Sequence, residues 1–269
     1  MRLISIILLT YLFSSGYSQS NIHDDHGHTH EAFYDLSWQK DAILTGGVAI
    51  GWLASRSIVT TLDPAPTATV LALDRDDVWF LDRGATNNVS PSAESISDIF
   101  LFGSLALPIT CYISHGVSRE GVAMGVMLVE SALLTDALTN FIKASVKRFR
   151  PNSYNPEVEF EVRSNRQARL SFLSGHTSMT AAMSFMSARV LTDLHPGSKW
   201  NKVIWGTAIV LPAFNGYLRT RAGRHFPTDV MAGYALGAGV GLLIPAIHKS
   251  EHVDFGPTQS GQFGLTWTF

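Results

Sequence analysis

From about residue 41 onward, apolar residues come in six long runs. Ala42–Ala54, Ile99–Ile113, Val122–Ile142, Thr177–Leu194, Val203–Leu218 and Val230–Ile247 each have helical length and little of the strict alternation that marks a strand. Breakers fill the intervals, with Pro64-Ala65-Pro66, Pro91, Pro151, Pro156 and Pro196-Gly197 the clearest. The pattern predicts an all-α fold, a bundle of about six core helices over residues 41–250. One long loop between roughly residues 59 and 96 has room for short helices of its own. The last run carries Gly233, Gly237 and Gly241 at a spacing of four, which lines one helix face and lets another backbone come close. In the tail, residues 251–269, Phe263, Leu265, Trp267 and Phe269 alternate like a half-buried strand. One strand cannot close a barrel, so an edge strand or a loose tail is expected.

The chain opens differently. Arg2 precedes a short apolar run, Leu3 to Phe13, followed by the small residues Ser14, Ser15, Gly16 and Ser18. This reads as a signal peptide, residues 1–18, with an uncleaved anchor as the other reading. The expected destination is the periplasm or cell envelope. Residues 19–40 form a His-rich stretch with His23, Asp24, Asp25, His26, His28 and His30, expected to be a solvated flexible linker rather than a metal site. Cys111 is the single cysteine, so no intramolecular disulfide forms. Apolar residues make up 46% and charged residues 16%, and the net charge is −2. Nothing in that balance supplies the basic field a nucleic-acid binder needs.

The candidate chemistry sits in three clusters. In the first, Lys143 and Arg150 lie seven residues apart, two helical turns, which would put them on one face roughly 10 Å apart along the axis. Pro151 ends the helix and Lys147 and Arg148 add charge nearby. Such a pair suits an anion with several oxygens, although cations at a helix C-terminus also follow from the helix dipole. In the second, Ser174-Gly175-His176 opens the fourth run. A tight turn at Gly175 and free N–H groups at the helix start form a natural phosphate cradle, and His176 is placed to donate a proton. In the third, Arg219, His225 and Asp229 lie close together. A nucleophilic imidazole needs one free ring nitrogen and a partner that fixes the other, and Asp229 is the expected partner.

Lys143–Arg150-Pro151, Ser174-Gly175-His176 and Arg219–His225–Asp229 together resemble the superfamily of type 2 phosphatidic acid phosphatases, class A acid phosphatases and vanadium haloperoxidases. The likeness covers roughly residues 100–245. It implies that Lys143, Arg150 and Arg219 hold phosphate oxygens, helped by Ser174 and Gly175. It implies that His225 attacks phosphorus, oriented by Asp229, and that His176 protonates the leaving alcohol and then activates water. No metal and no cofactor are implied. Vanadate is expected as an inhibitor, or as the cofactor under the alternative reading of a haloperoxidase. A non-catalytic anion-binding membrane protein is the remaining alternative. Leu173 and Leu218 depart from the usual Pro and Ser of the pattern. Arg221 and Arg224 go beyond it, as contacts for a second anionic group or as solvent-facing charges.

The expected substrate is a phosphorylated lipid or a small phosphate ester, and oligomeric state is open. Membrane association is expected without a decision on embedding. An exported N-terminus followed by six crossing helices would put all three clusters on the cytoplasmic side. An exported site therefore asks for a soluble or peripheral bundle, or for Ala42–Ala54, marginal in length, not to cross. Glu130 and Asp136 are costly in lipid unless they face the bundle.

Overall fold

The computed structural model describes residues 33–109, 111, 119–250, 252–257 and 263–268. The signal-peptide reading and most of the His-rich linker lie outside the described residues. Among the described residues nine α-helices follow one another: α1 (Trp38–Thr61), α2 (Thr67–Leu71), α3 (Phe80–Arg83), α4 (Pro91–Leu105), α5 (Arg119–Val146), α6 (Phe160–Ser164), α7 (Gly175–Leu194), α8 (Asn201–Arg221) and α9 (Pro227–His248). The six long ones correspond to the six apolar runs, and the expected all-α bundle is what forms. The short α2 and α3 occupy the long loop, together with two 3₁₀ turns, Arg75–Asp77 and Gly84–Asn87.

Local chemistry sets the helix starts. Ser90 accepts from Ala93 N–H and Pro91 takes the first position of α4. Ser174 accepts from Thr177 N–H at the start of α7. Pro227 begins α9, and Asp229 at its third position accepts from Phe226 N–H at 2.9 Å. At its end α5 stops at Val146, because Lys147 takes a left-handed conformation, φ 50°, and donates back to Lys143 O at 2.9 Å.

Helix α7 is central and packs against α4, α5, α8 and α9. Its buried positions are mostly small or hydroxyl-bearing: Thr177, Ser178, Thr180, Ala181, Ala182, Ser184, Ser187 and Ala188. Gly233, Gly237 and Gly241 of α9 lie over the carbonyls of Ser174, Ser178 and Ala182, and a Cβ on any of these three would come within 3.0 Å of those oxygens. Backbone therefore meets backbone, as the four-residue spacing predicted. Large apolar side chains instead face outward: Ile43, Ile50 and Leu53 on α1, Ile99 and Phe102 on α4, Val210 and Phe214 on α8, and Met231 and Leu243 on α9.

That distribution is reversed from a water-soluble bundle, whose large apolar side chains go inside. Helices α1, α4, α5 and α9 are long and apolar enough to cross a membrane. The first run, marginal in length as read from Ala42–Ala54, belongs to a helix of 24 residues, so its length gives no reason to keep it from crossing. Glu130 is fully buried, and Asp136 accepts from Trp52 Nε1 of α1 at 2.8 Å and from Asn140 Nδ2 at 3.0 Å. Both acids thus face neighbouring helices. After α9 comes a two-stranded antiparallel hairpin, β1 (His252–Pro257) and β2 (Phe263–Thr268), with Val253 opposite Trp267 and Phe255 opposite Leu265. The alternating tail is a strand, and its partner β1 was not foreseen.

Candidate active site

Five of the six long helices bring their site-bearing ends together: the C-termini of α5 and α8 and the N-termini of α4, α7 and α9. Lys143 is buried at the end of α5 and donates to Leu170 O at 2.7 Å. Gly175 sits against it, since a Cβ there would lie 3.9 Å from Lys143 Cε. Arg150 is also buried, but not on the same helix face as Lys143. The break at Lys147 takes it off α5 into extended backbone, where its N–H bonds Ala168 O at 2.8 Å and its Nε bonds Gln167 O at 2.7 Å. The expected shared face is therefore corrected. Proximity comes from the fold of 147–170, not from helical periodicity.

Arg219, at the end of α8, is 4% exposed and donates to Ser97 Oγ at 3.0 Å, with Asp98 Oδ1 at 3.6 Å. His176 Nε2 meets the same Asp98 oxygen at 2.7 Å. Burial, then the Arg219 charge, lowers the His176 pKa to about 4, although Asp98 opposes the shift. Burial also lowers Arg219 to about 10. His225 is almost fully buried and its pKa is held well below the ordinary histidine value, first by burial and then by Lys143, Arg150, Arg219 and His176. Groups spread from Lys143 to His225 in sequence are thus electrostatic neighbours.

The partner of His225 differs from expectation. Nδ1 bonds the main-chain carbonyl of Ser171 at 2.7 Å, while the Asp229 carboxylate stands 3.9 Å away. A carbonyl only accepts, so Nδ1 carries the proton and Nε2 keeps its lone pair. Asp229 is drawn off the ring by stronger donors: Arg148 Nη1 and Ser171 Oγ, both at 2.6 Å, and Phe226 N–H. It holds the ring through Ser171, which it binds by the side chain while Ser171 O takes the imidazole.

Ser171, Ser97, Asp98, Asp82 and the role of Arg148 were not read from the sequence. Asp98 left a faint trace as a carboxylate beginning an apolar run, whereas Asp82 lies in a polar loop with no periodicity to mark its burial. Ser174 and Gly175 stand where α7 begins, with Ser174 N–H bonded to Asp229 O at 3.0 Å. Of the two extra arginines, Arg224 pairs with Glu94 at 2.8 Å, which removes it as a free contact for a second anion.

Residues 124–252 match the family profile of the PAP2 superfamily. The chain is 28% identical over 135 residues to the lipid A 4'-phosphatase of Porphyromonas gingivalis, covering 49% of this chain and 53% of the relative. It is 29% identical over 147 residues to the decaprenylphosphoryl-5-phosphoribose phosphatase of Mycobacterium tuberculosis, covering 55% and 68%. Similarity thus spans about half the length of the first and about two thirds of the second. A crystal structure of a transmembrane PAP2-type phosphatidylglycerolphosphate phosphatase from Bacillus subtilis superposes with a TM-score of 0.48 at 22% identity, covering 76% of this chain and 96% of that one. The residues that match the PAP2 superfamily profile, 124–252, hold all three clusters from Lys143 to Asp229.

Proposed function

We propose that this chain is a membrane-embedded lipid-phosphate phosphatase that works through a phospho-histidine at His225 without a metal ion. One observation carries the reading. Lys143 and Arg150 are buried cations bonded to backbone carbonyls, with no carboxylate partner among the described residues. A buried charge without a counter-ion costs several kcal/mol, on the order of 3–5 where one partner of a pair is removed. Cations held in that state around a nucleophilic nitrogen fit a site whose anion arrives with the substrate.

In the proposed reaction, His225 Nε2 attacks phosphorus and forms an N–P bond. The ester P–O bond breaks and its electron pair leaves on the alcohol oxygen, which takes a proton from His176. Water then attacks the phospho-imidazole while His176 takes its proton, and inorganic phosphate leaves with His225 restored. Lys143, Arg150 and Arg219, with the amide at Gly175, meet the charge on the equatorial oxygens. The apolar exterior and the names of the relatives, which act on phosphorylated lipids, support a lipid phosphate as the substrate class.

Helix parity ties two localisation expectations together. α1 starts at the end away from the site and finishes at the site end, so export of residue 33 combined with crossing by α1 puts the site on the cytoplasmic face. A site facing outward requires one of those two to fail. Modification of Lys147→Cys in intact cells by a membrane-impermeant reagent decides the face.

The function is tested by quenching the protein with ³²P-labelled phosphatidic acid and by phosphate release from lipid and soluble esters. The expected result is an acid-labile label on His225, vanadate inhibition and turnover that survives EDTA. Normal turnover by His225→Ala, or loss of activity on chelation, overturns the mechanism.

A further inference from the structure

We infer that Arg148 is a positioning residue for the nucleophile, acting through Asp229 and steadied by Asp82 from the long loop. The inference rests on the phosphatase reading and adds a group outside the residues that meet phosphate.

The Arg148 guanidinium forks between two carboxylates. Nη1 reaches Asp229 Oδ1 at 2.6 Å and Thr228 Oγ1 at 2.9 Å, and Nη2 reaches Asp82 Oδ2 at 2.8 Å. Its fourth contact is the face of Phe226, 4.0 Å from Cζ to the ring centroid. Asp82 and Asp229 are 1% and 0% exposed, so neither charge has water to fall back on. Asp82 is fixed further by Thr228 N–H at 3.0 Å and Thr228 Oγ1 at 2.6 Å. The guanidinium is thereby set at the turn into α9, with the long loop on one side and the nucleophile's support on the other.

Arg148 takes the oxygen of Asp229 that faces away from the ring. The other oxygen, Oδ2, binds Ser171 and Phe226 N–H and lies 3.9 Å from His225 Nδ1. The chain of contacts runs Asp82, Arg148, Asp229, Ser171, His225. Two effects follow. Arg148 fixes where the Asp229–Ser171 pair stands, and so where Nε2 points. It also offsets the Asp229 charge beside the imidazole. The charged groups around that ring are Lys143 from α5, Arg150 from the segment after it, His176 from α7, Arg219 from α8 and Asp229 from α9. Four of these are or can become cations and discourage protonation; Asp229 is the one carboxylate. Without Arg148, either the Asp229 carboxylate takes a proton itself or its bare charge draws one onto His225.

The test is the pH profile of kcat/KM for Arg148→Ala, Arg148→Lys and Asp82→Asn, with ¹⁵N-histidine NMR of the same proteins. Arg148→Ala is expected to lower kcat on the order of 100-fold, as for a misplaced reacting group, with KM for the lipid phosphate little changed. The acid limb of the profile moves up by about one pH unit, and the His225 resonance titrates higher by a similar amount. Arg148→Lys restores part of the rate, and Asp82→Asn gives a smaller shift in the same direction. Loss of melting temperature with an unmoved acid limb and unmoved His225 titration would reduce Arg148 to a structural tie and overturn the inference. A rise in KM at constant kcat would make it a phosphate ligand and overturn it equally. Asp82→Asn, an isosteric change, carries the same readings if Arg148→Ala does not fold. Wild-type protein without phosphatase activity refutes the parent reading separately, because the NMR titration does not depend on turnover.

Discussion

Helices α5 and α9 share two buried polar clusters, and the two are built differently. At the site end, α5 contributes Lys143 and α9 contributes Asp229. Away from the site, α5 contributes Glu130 from near its middle and α9 contributes His248 from its C-terminus, joined by Asp41 from α1. The far cluster holds acids: His248 Nε2 lies 3.2 Å from Glu130 Oε2 and 3.3 Å from Asp41 Oδ1, and Thr45 donates to Glu130 Oε1 at 2.5 Å. His248 Nδ1 bonds Ile244 O at 2.9 Å, while Nε2 stands between the two carboxylates. The site end holds cations in excess: Lys143 and Arg150 have only carbonyls, while the nearby carboxylates are taken by Arg148, Arg224 and His176. A cluster of two acidic side chains, an imidazole and a hydroxyl drawn from α1, α5 and α9 serves as a fastening between helices. One that brings surplus positive charge beside a free imidazole nitrogen is built to receive an anion.

The comparison breaks most sharply on activity. His225→Ala is expected to lower phosphate release by about 10⁴-fold or more, and Lys143→Ala or Arg150→Ala by about 10²–10³-fold, measured as kcat/KM on a lipid phosphate. His248→Ala at the far end should leave kcat per folded molecule within roughly twofold while destabilising the protein by about 3–5 kcal/mol, read as a fall in melting temperature in detergent. Equal losses of activity at both ends would erase the distinction.

The pH dependence sharpens it next. His176 has a folded pKa of about 4 because burial and Arg219 disfavour its cation. The unfolded chain binds more protons below about 6.5, so this group's contribution to stability is present above that pH and is lost as pH falls towards about 4. Melting temperature should drop across that window, and His176→Ala should flatten the drop. The same variant should slow esters with poor leaving groups more than activated aryl esters, since only the former need the proton. The smallest expected effect concerns the shared frame. Gly237→Ala pushes a Cβ into the Ser178 carbonyl and should cost about 1–3 kcal/mol at either end's expense, seen as a lower melting temperature with KM unchanged.

Much of the frame was legible in the sequence because its signals are local. Apolar runs of helical length mark the six long helices, Ser90, Ser174 and Pro227 mark starts, and the Gly233/Gly237/Gly241 spacing marks a close helix contact. Cation and imidazole clusters were legible for the same reason, as short strings such as Ser174-Gly175-His176. Reach across the chain was not. The helix was expected to run through to Arg150, and nothing in the residue types announces that Lys147 turns left-handed and ends it. Asp229 was expected to hold the His225 ring because the spacing of four allows it. The spacing is silent on Arg148, 81 positions away, which competes for the carboxylate.

The sequence by itself determined the six long helices, the close contact along the Gly233, Gly237 and Gly241 face and the chemical types at the site, since each depends on neighbours a few positions apart. The tertiary structure alone decided which groups pair. Hydrogen bonds and ion pairs between distant segments are chosen by a competition among all donors that folding brings within about 3 Å. At Asp229 that competition went to a guanidinium and a serine hydroxyl, and the imidazole was left to a backbone carbonyl.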